Sequence, residues 1–147
     1  MTCRGTFAIV MLALAPAVAF CQEIELGQLL DKGAVPLSKA ELAALIPGTT
    51  TKFTQWQTTQ VGQSNIDYNW ENPAGGGSFR VYARGPRFSA NGTGTWSIAD
   101  NGRYCWDIMI NREWKACRFI FKVGDAYYMA PSANDRAAKA IPVKFEK

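Results

Sequence analysis

The twenty residues GRYCWDIMINREWKACRFIF, Gly102 to Phe121, decide how this chain folds. They read as two strands of period two on either side of a turn centred on Asn111. That centre sets Cys105 opposite Cys117, and the same register sets Asp107 opposite Lys115. Directly opposed residues of an antiparallel pair bring their Cβ atoms within reach of a disulfide. A redox pair would sit closer together, as in C-x-x-C at a helix N-terminus. Eleven intervening residues across a hairpin fit a staple, and closing such a loop stabilises a small domain by about 3 kcal/mol. Trp106, Ile108 and Ile110 share one face, while Phe119 and Phe121 share the other face with Cys117. The hairpin is therefore either covered on both sides or shifted by a bulge near Trp114.

Outward from the hairpin the same period recurs. TTKFTQWQTT alternates around Phe53, SNIDYNW aligns Ile66, Tyr68 and Trp70, and SFRVYAR sets Phe79, Val81 and Ala83 against Arg80, Tyr82 and Arg84. GTGTWSIA and AYYMA continue the series, and the turn signals NPAGGG, RGPRF, SANG, ADNG, INRE and VGD separate the runs. Strands at this spacing without intervening helices predict a mainly β fold, an antiparallel meander closed into a small barrel or packed as a sandwich. PSANDRAAKAIP predicts a further helical turn capped by Ser132, and VKF a last edge strand.

One short α-helix precedes the strands. In LSKAELAALIPG, Ser38 and Glu41 have capping-box spacing, Leu42, Leu45 and Ile46 form the apolar side, and Pro47-Gly48 ends it, which predicts a helix over residues 39–45 that plugs one end or covers one face. Residues 22–36, interrupted by Gly27 and Gly33, read as a lead-in segment with at most a loose helical turn. Residues 37–147 then form a single β-rich domain.

The first 21 residues have the pattern of a secretory signal peptide: Arg4, an apolar run from Phe7 to Leu14, then Pro16 and small residues. From Phe7 to Cys21 it offers 15 residues, short of the roughly 20 that cross a bilayer. Cleavage fits after Ala19 or after Cys21; the latter leaves Cys105 and Cys117 as an even pair. Lipid attachment at Cys21 is disfavoured by the bulky Phe20. Losing Arg4 would lower the net charge from +4 to +3, too mild for nucleic acid. The chain has no histidine, which removes Ser-His-Asp and Cys-His catalysis and the commonest zinc ligand. No calcium-loop motif is present, so neither a metal nor a cofactor is expected.

GTGTWSIADNGRYCWDIMINREWKACRFIFKVGDAYYMAP resembles a family of small exported proteins of Gram-negative bacteria, especially alphaproteobacteria, that share a domain of unknown function. The pattern is Gly48-Thr49 after a short helix, Gly94-Thr95-Trp96, Gly102-Arg103-Tyr104-Cys105-Trp106, Cys117, and Gly124-Asp125 before a terminal strand. The resemblance implies export and a β-rich fold, and it transfers no catalytic residue.

Three groups of residues are candidates for function. Arg80, Tyr82, Arg84 and the nearby Arg87 could hold an anion such as a sugar acid, phosphate or lipid headgroup, or could be the solvated face of an edge strand. Among Trp56, Trp70, Trp96, Trp106 and Trp114, most are expected in the core. Trp114, beside Glu113 and Lys115 near the hairpin tip, is expected to be exposed and able to anchor a partner. The carboxylate pairs Asp67 with Glu71 and Asp107 with Glu113 suggest a hydrolase of cell-wall or polysaccharide material. The favoured expectation is a periplasmic or secreted, non-enzymatic module that binds a small ligand or an envelope protein; the alternative is the carboxylate-dependent hydrolase.

Overall fold

The structure, a computed structural model, describes residues 23–59 and 62–147, so the expected signal peptide lies outside the described residues. Two short strands and a helix come first: β1 (Ile24–Glu25), α1 (Leu26–Asp31) and β2 (Val35–Pro36). The helix α2 (Lys39–Leu45) follows. Then come β3 (Thr50–Thr59), β4 (Gly62–Glu71), β5 (Ser78–Gly85), β6 (Phe88–Ile98), β7 (Tyr104–Ile110), β8 (Arg112–Val123), β9 (Ala126–Ala130) and β10 (Lys139–Glu146).

Strands β3 to β10 form an antiparallel meander, and β10 returns to pair with β3, with Val143 opposite Phe53. The eight strands therefore close into a barrel, and the alternative of a sandwich falls away. Closure corrects two expectations. β10 is no edge strand, because it pairs with both β9 and β3; β5 likewise lies between β4 and β6. The segment around Ser132 forms turns instead of a helical turn: the Ser132 hydroxyl accepts from the backbone N–H groups of Asn134 and Asp135.

Alternation fills the barrel. Phe53, Ile66, Tyr68, Trp70, Phe79, Val81, Trp106 and Ile108 are buried in one interior cluster. The rings pack edge to face, as between Phe53 and Trp70 at 5.5 Å and Trp106 and Trp114 at 5.5 Å, and stacked, as between Trp70 and Phe79 at 5.6 Å. Where the rings are bulky, the facing strand is small. A Cβ on Gly94 would meet the Phe79 ring at 2.8 Å.

α2 begins and ends where the sequence predicts. Ser38 accepts from the Glu41 N–H, and the Glu41 carboxylate accepts from the Ser38 N–H. Leu42 and Ile46 insert into the interior cluster, so the helix plugs one end of the barrel. Beneath it lies a layer of buried polar groups: the Trp70 indole N–H donates to the Tyr104 hydroxyl, which donates to Asn72 Oδ1, while Asn72 Nδ2 donates to Thr51 Oγ1.

The lead-in segment is more ordered than its glycines suggest. Leu26, Leu29 and Ala34 bury against Phe121, Ala130 and Ala140 on the outside of the barrel, forming a second cluster. The hairpin β7–β8 is thus covered on both sides, with its inner face in the barrel and the outer apolar end of β8 under α1. The β7–β8 turn has Asn111 in the left-handed region at φ 58°, and the β7–β8 register runs from Ile110 opposite Arg112 to Tyr104 opposite Arg118.

Candidate functional site

Side chains fill the interior, and concave surface lies on the outer wall. A cleft of about 990 Å³ opens there between β4–β3 on one side and β10–β9 on the other. Its β3–β4 side presents Lys52, Thr54, Asp67 and Asn69, all on the face opposite the buried Phe53, Tyr68 and Trp70. Tyr128 and Pro142 line the far side. Lys52 pairs with Glu146 across β3 and β10, and this contact holds the Glu146 carboxyl below its ordinary value. The Thr54 hydroxyl donates to Asp67 at 2.5 Å, which fixes the carboxylate at the cleft wall.

The cleft continues onto the basic strip of β5. Cross-strand register sets Asp67 opposite Arg84 and Asn69 opposite Tyr82, so the two surfaces form adjoining rows of one wall. Arg80, Tyr82 and Arg84 share the outward face, as their alternation requires, while Phe79, Val81 and Ala83 are buried. The Arg84 guanidinium stacks over the Tyr82 ring at 5.6 Å, and its Nη1 donates to the carbonyls of Ala83 and Ala90 and to Asn91 Oδ1. Arg84 is therefore held in place instead of sweeping through solvent. Arg87 lies in the exposed turn between β5 and β6.

Trp114 corrects the sequence reading. It stands opposite Ile108, on the inner face, and packs 5.2 Å from Tyr68 and 6.3 Å from Phe53. The exposed tryptophan is Trp56, 54% accessible, on the outer face of β3 two residues beyond Thr54. Parity carried this signal, because an inward Phe53 places Trp56 outward.

The two candidate carboxylate pairs lie in different settings. Asp67 and Glu71 lie four residues apart on one strand face, their backbone positions about 13 Å apart along β4, whereas the carboxyl groups of paired glycosidase carboxylates stand roughly 5 to 9.5 Å apart. Asp107 and Glu113 both contact the Lys115 ammonium, at 3.2 and 2.8 Å.

Cys105 and Cys117 are disulfide-bonded with their Cα atoms 4.0 Å apart. A smaller groove of about 560 Å³ surrounds them on the outer wall, lined by Arg103, Ser97 and Lys115 among others. Among the described residues, no group of three or more His, Cys, Asp or Glu could hold a metal ion, and no helix is long and apolar enough to cross a membrane. No protein-family model, curated protein or solved structure matches the chain.

Proposed function

We propose that this chain is an exported, non-catalytic binding module of the bacterial cell envelope that takes its ligand in the outer-wall cleft between β3–β4 and β9–β10. The observation that carries the reading is the filled barrel: aromatic rings occupy the interior that a ligand-carrying barrel would leave open. Recognition then falls to this cleft of about 990 Å³, whose wall combines apolar surface with a few fixed polar groups, as binding sites do. A cross-strand disulfide on the outer wall suits an oxidising compartment, which supports export.

Native mass spectrometry of the chain purified from the periplasm of its own host tests this. A bound mass is expected in the parent protein and absent from Thr54→Ala/Asn69→Ala, two outward positions at the cleft wall. Release of cleaved cell-wall fragments by the parent, abolished by Asp67→Asn, would overturn the binding reading in favour of hydrolysis.

A further inference from the structure

Chemistry along the outer wall narrows the ligand. Three features adjoin in one surface. Trp56 exposes more than half of its area beside Thr54, its Cα partner on β4 being Asn65. Asp67, fixed by Thr54, and Asn69 occupy the next rows toward β5. Beyond them Arg80 and Arg84 flank Tyr82 on one strand face, each about 7 Å from it and about 13 Å from one another. The Arg84 fork is tethered through Nη1 alone, so Nε and Nη2 have no protein acceptor among the described residues.

An exposed indole offers a flat apolar platform, the side-chain amides and carboxylate pair with hydroxyls, and a fixed guanidinium fork matches a carboxylate in two-point geometry. Pyranose rings with ring-borne carboxylates present those three complements together. Within the cleft lining Lys52 and Lys144 face Asp67, Asp125 and Glu146, so the positive charge that would draw an anion comes from Arg80 and Arg84 on the adjoining strand. Acyl chains lack a lumen to enter, since the barrel is filled. A protein partner would want a contiguous apolar centre, whereas the exposed large hydrophobics among the described residues, Val35, Trp56 and Met109, lie on β2, β3 and β7.

We infer that the ligand is an anionic glycan, a chain of carboxylated sugars laid along the outer wall from the cleft across β4 to Arg80 and Arg84, with Trp56 as its stacking platform. This rests on the cleft being the binding site.

The full disulfide-bonded chain is titrated with polygalacturonate, alginate and hyaluronan, each beside its carboxyl-methyl ester, following tryptophan emission and heat. At least one free acid should bind, its ester about tenfold or more weaker, and the affinity should fall as salt rises. Trp56→Ala and Arg80→Ala should each weaken binding about tenfold at an unchanged melting temperature, and Arg84→Lys, which keeps charge but loses the fork, should weaken it similarly. Equal binding of acid and ester, no binding of any of the three acids, or stronger Trp56-dependent binding of single-stranded DNA would each overturn the assignment. If the acids fail while native mass spectrometry still finds a mass that Thr54→Ala/Asn69→Ala releases, the cleft stands and the glycan falls. If no mass is found either, both fall.

Discussion

At the scale of single residues, the Tyr104 hydroxyl is the point on which the plugged end of the barrel depends. It receives the Trp70 indole N–H at 2.8 Å, donates to Asn72 at 2.7 Å and lies 3.1 Å from the Thr51 hydroxyl. Removing the oxygen takes the partner from the Trp70 indole N–H and from Asn72 Oδ1 in a buried layer, and an unsatisfied buried polar group costs about 1–3 kcal/mol. Tyr104→Phe should therefore lower the unfolding free energy by that amount in urea titrations. Burial also pushes the Tyr104 phenol far above its ordinary value, despite hydrogen bonds that pull it down. The unfolded chain ionises there near pH 10 while the folded chain keeps its proton. Stability from this source is complete below about pH 10 and declines as pH rises further. Denaturation midpoints measured across the alkaline range should show that decline in the parent and a shallower one in Tyr104→Phe. None of this was legible in the sequence, because the partners of Tyr104 lie 34, 32 and 53 positions away and only barrel closure brings them together. Gly92 is a second such residue. A Cβ there would lie 1.9 Å from the Met109 carbonyl oxygen, on backbone that cannot step aside. Gly92→Ala should cost at least about 3 kcal/mol, the upper end of overpacking, read as a fall in melting temperature.

At the scale of elements, the β7–β8 hairpin shows which part of a fold a sequence can state. Its register was legible because three local signals agreed: a turn at Asn111, a cysteine pair and an opposite-charge pair, all reproduced in the strand pairing. α2 was legible for a like reason, since capping is local. The place of Trp114 was less legible because its charged neighbours, Glu113 and Lys115, suggest an exposed tip, whereas its register opposite the buried Ile108 turns the ring inward. The two kinds of residue on this hairpin should respond differently to mutation. Replacing Cys105 and Cys117 together with Ala should cost about 2–5 kcal/mol and leave the tryptophan near-UV dichroism of the folded state intact, because the disulfide lies outside the ring cluster. Trp114→Ala should cost about 3 kcal/mol and alter that dichroism, because the ring packs against Trp106 and Tyr68. A Trp114→Ala protein with parent stability and lost ligand binding would restore the exposed-anchor reading of the tip.

At the scale of the whole molecule, closure gives each of the eight strands a neighbour on both sides over part of its length, and no local signal in the sequence announces it. Barrel and sandwich share strand alternation and turn spacing; only the pairing of β10 with β3, residues some ninety positions apart, separates them. The cleft arises from that same pairing, which is why its residues were not gathered from the sequence although the neighbouring strip on β5 was. Closure also leaves one apolar stretch of outer wall, around Phe121, Ala130 and Ala140, that the barrel cannot cover with its own strands. The segment before α2 covers it. Its backbone is tied by Leu26 N–H to the Ala138 carbonyl and Gly27 N–H to the Arg136 carbonyl, and Arg136 reaches Asp31 at 2.6 Å. Because the inner and outer clusters are separate, loosening this strap should leave the barrel folded. Leu26→Ala/Leu29→Ala removes two fully buried side chains, each worth about 2–5 kcal/mol in a core, more than a six-residue helix can replace from its own hydrogen bonds. In hydrogen exchange, the amides of Leu26 and Gly27 should lose protection in this variant while those of Trp70 and Trp106 keep theirs, and a dye that binds apolar surface should brighten at the uncovered wall. Loss of protection at all four amides together would instead show that strap and barrel unfold as one unit.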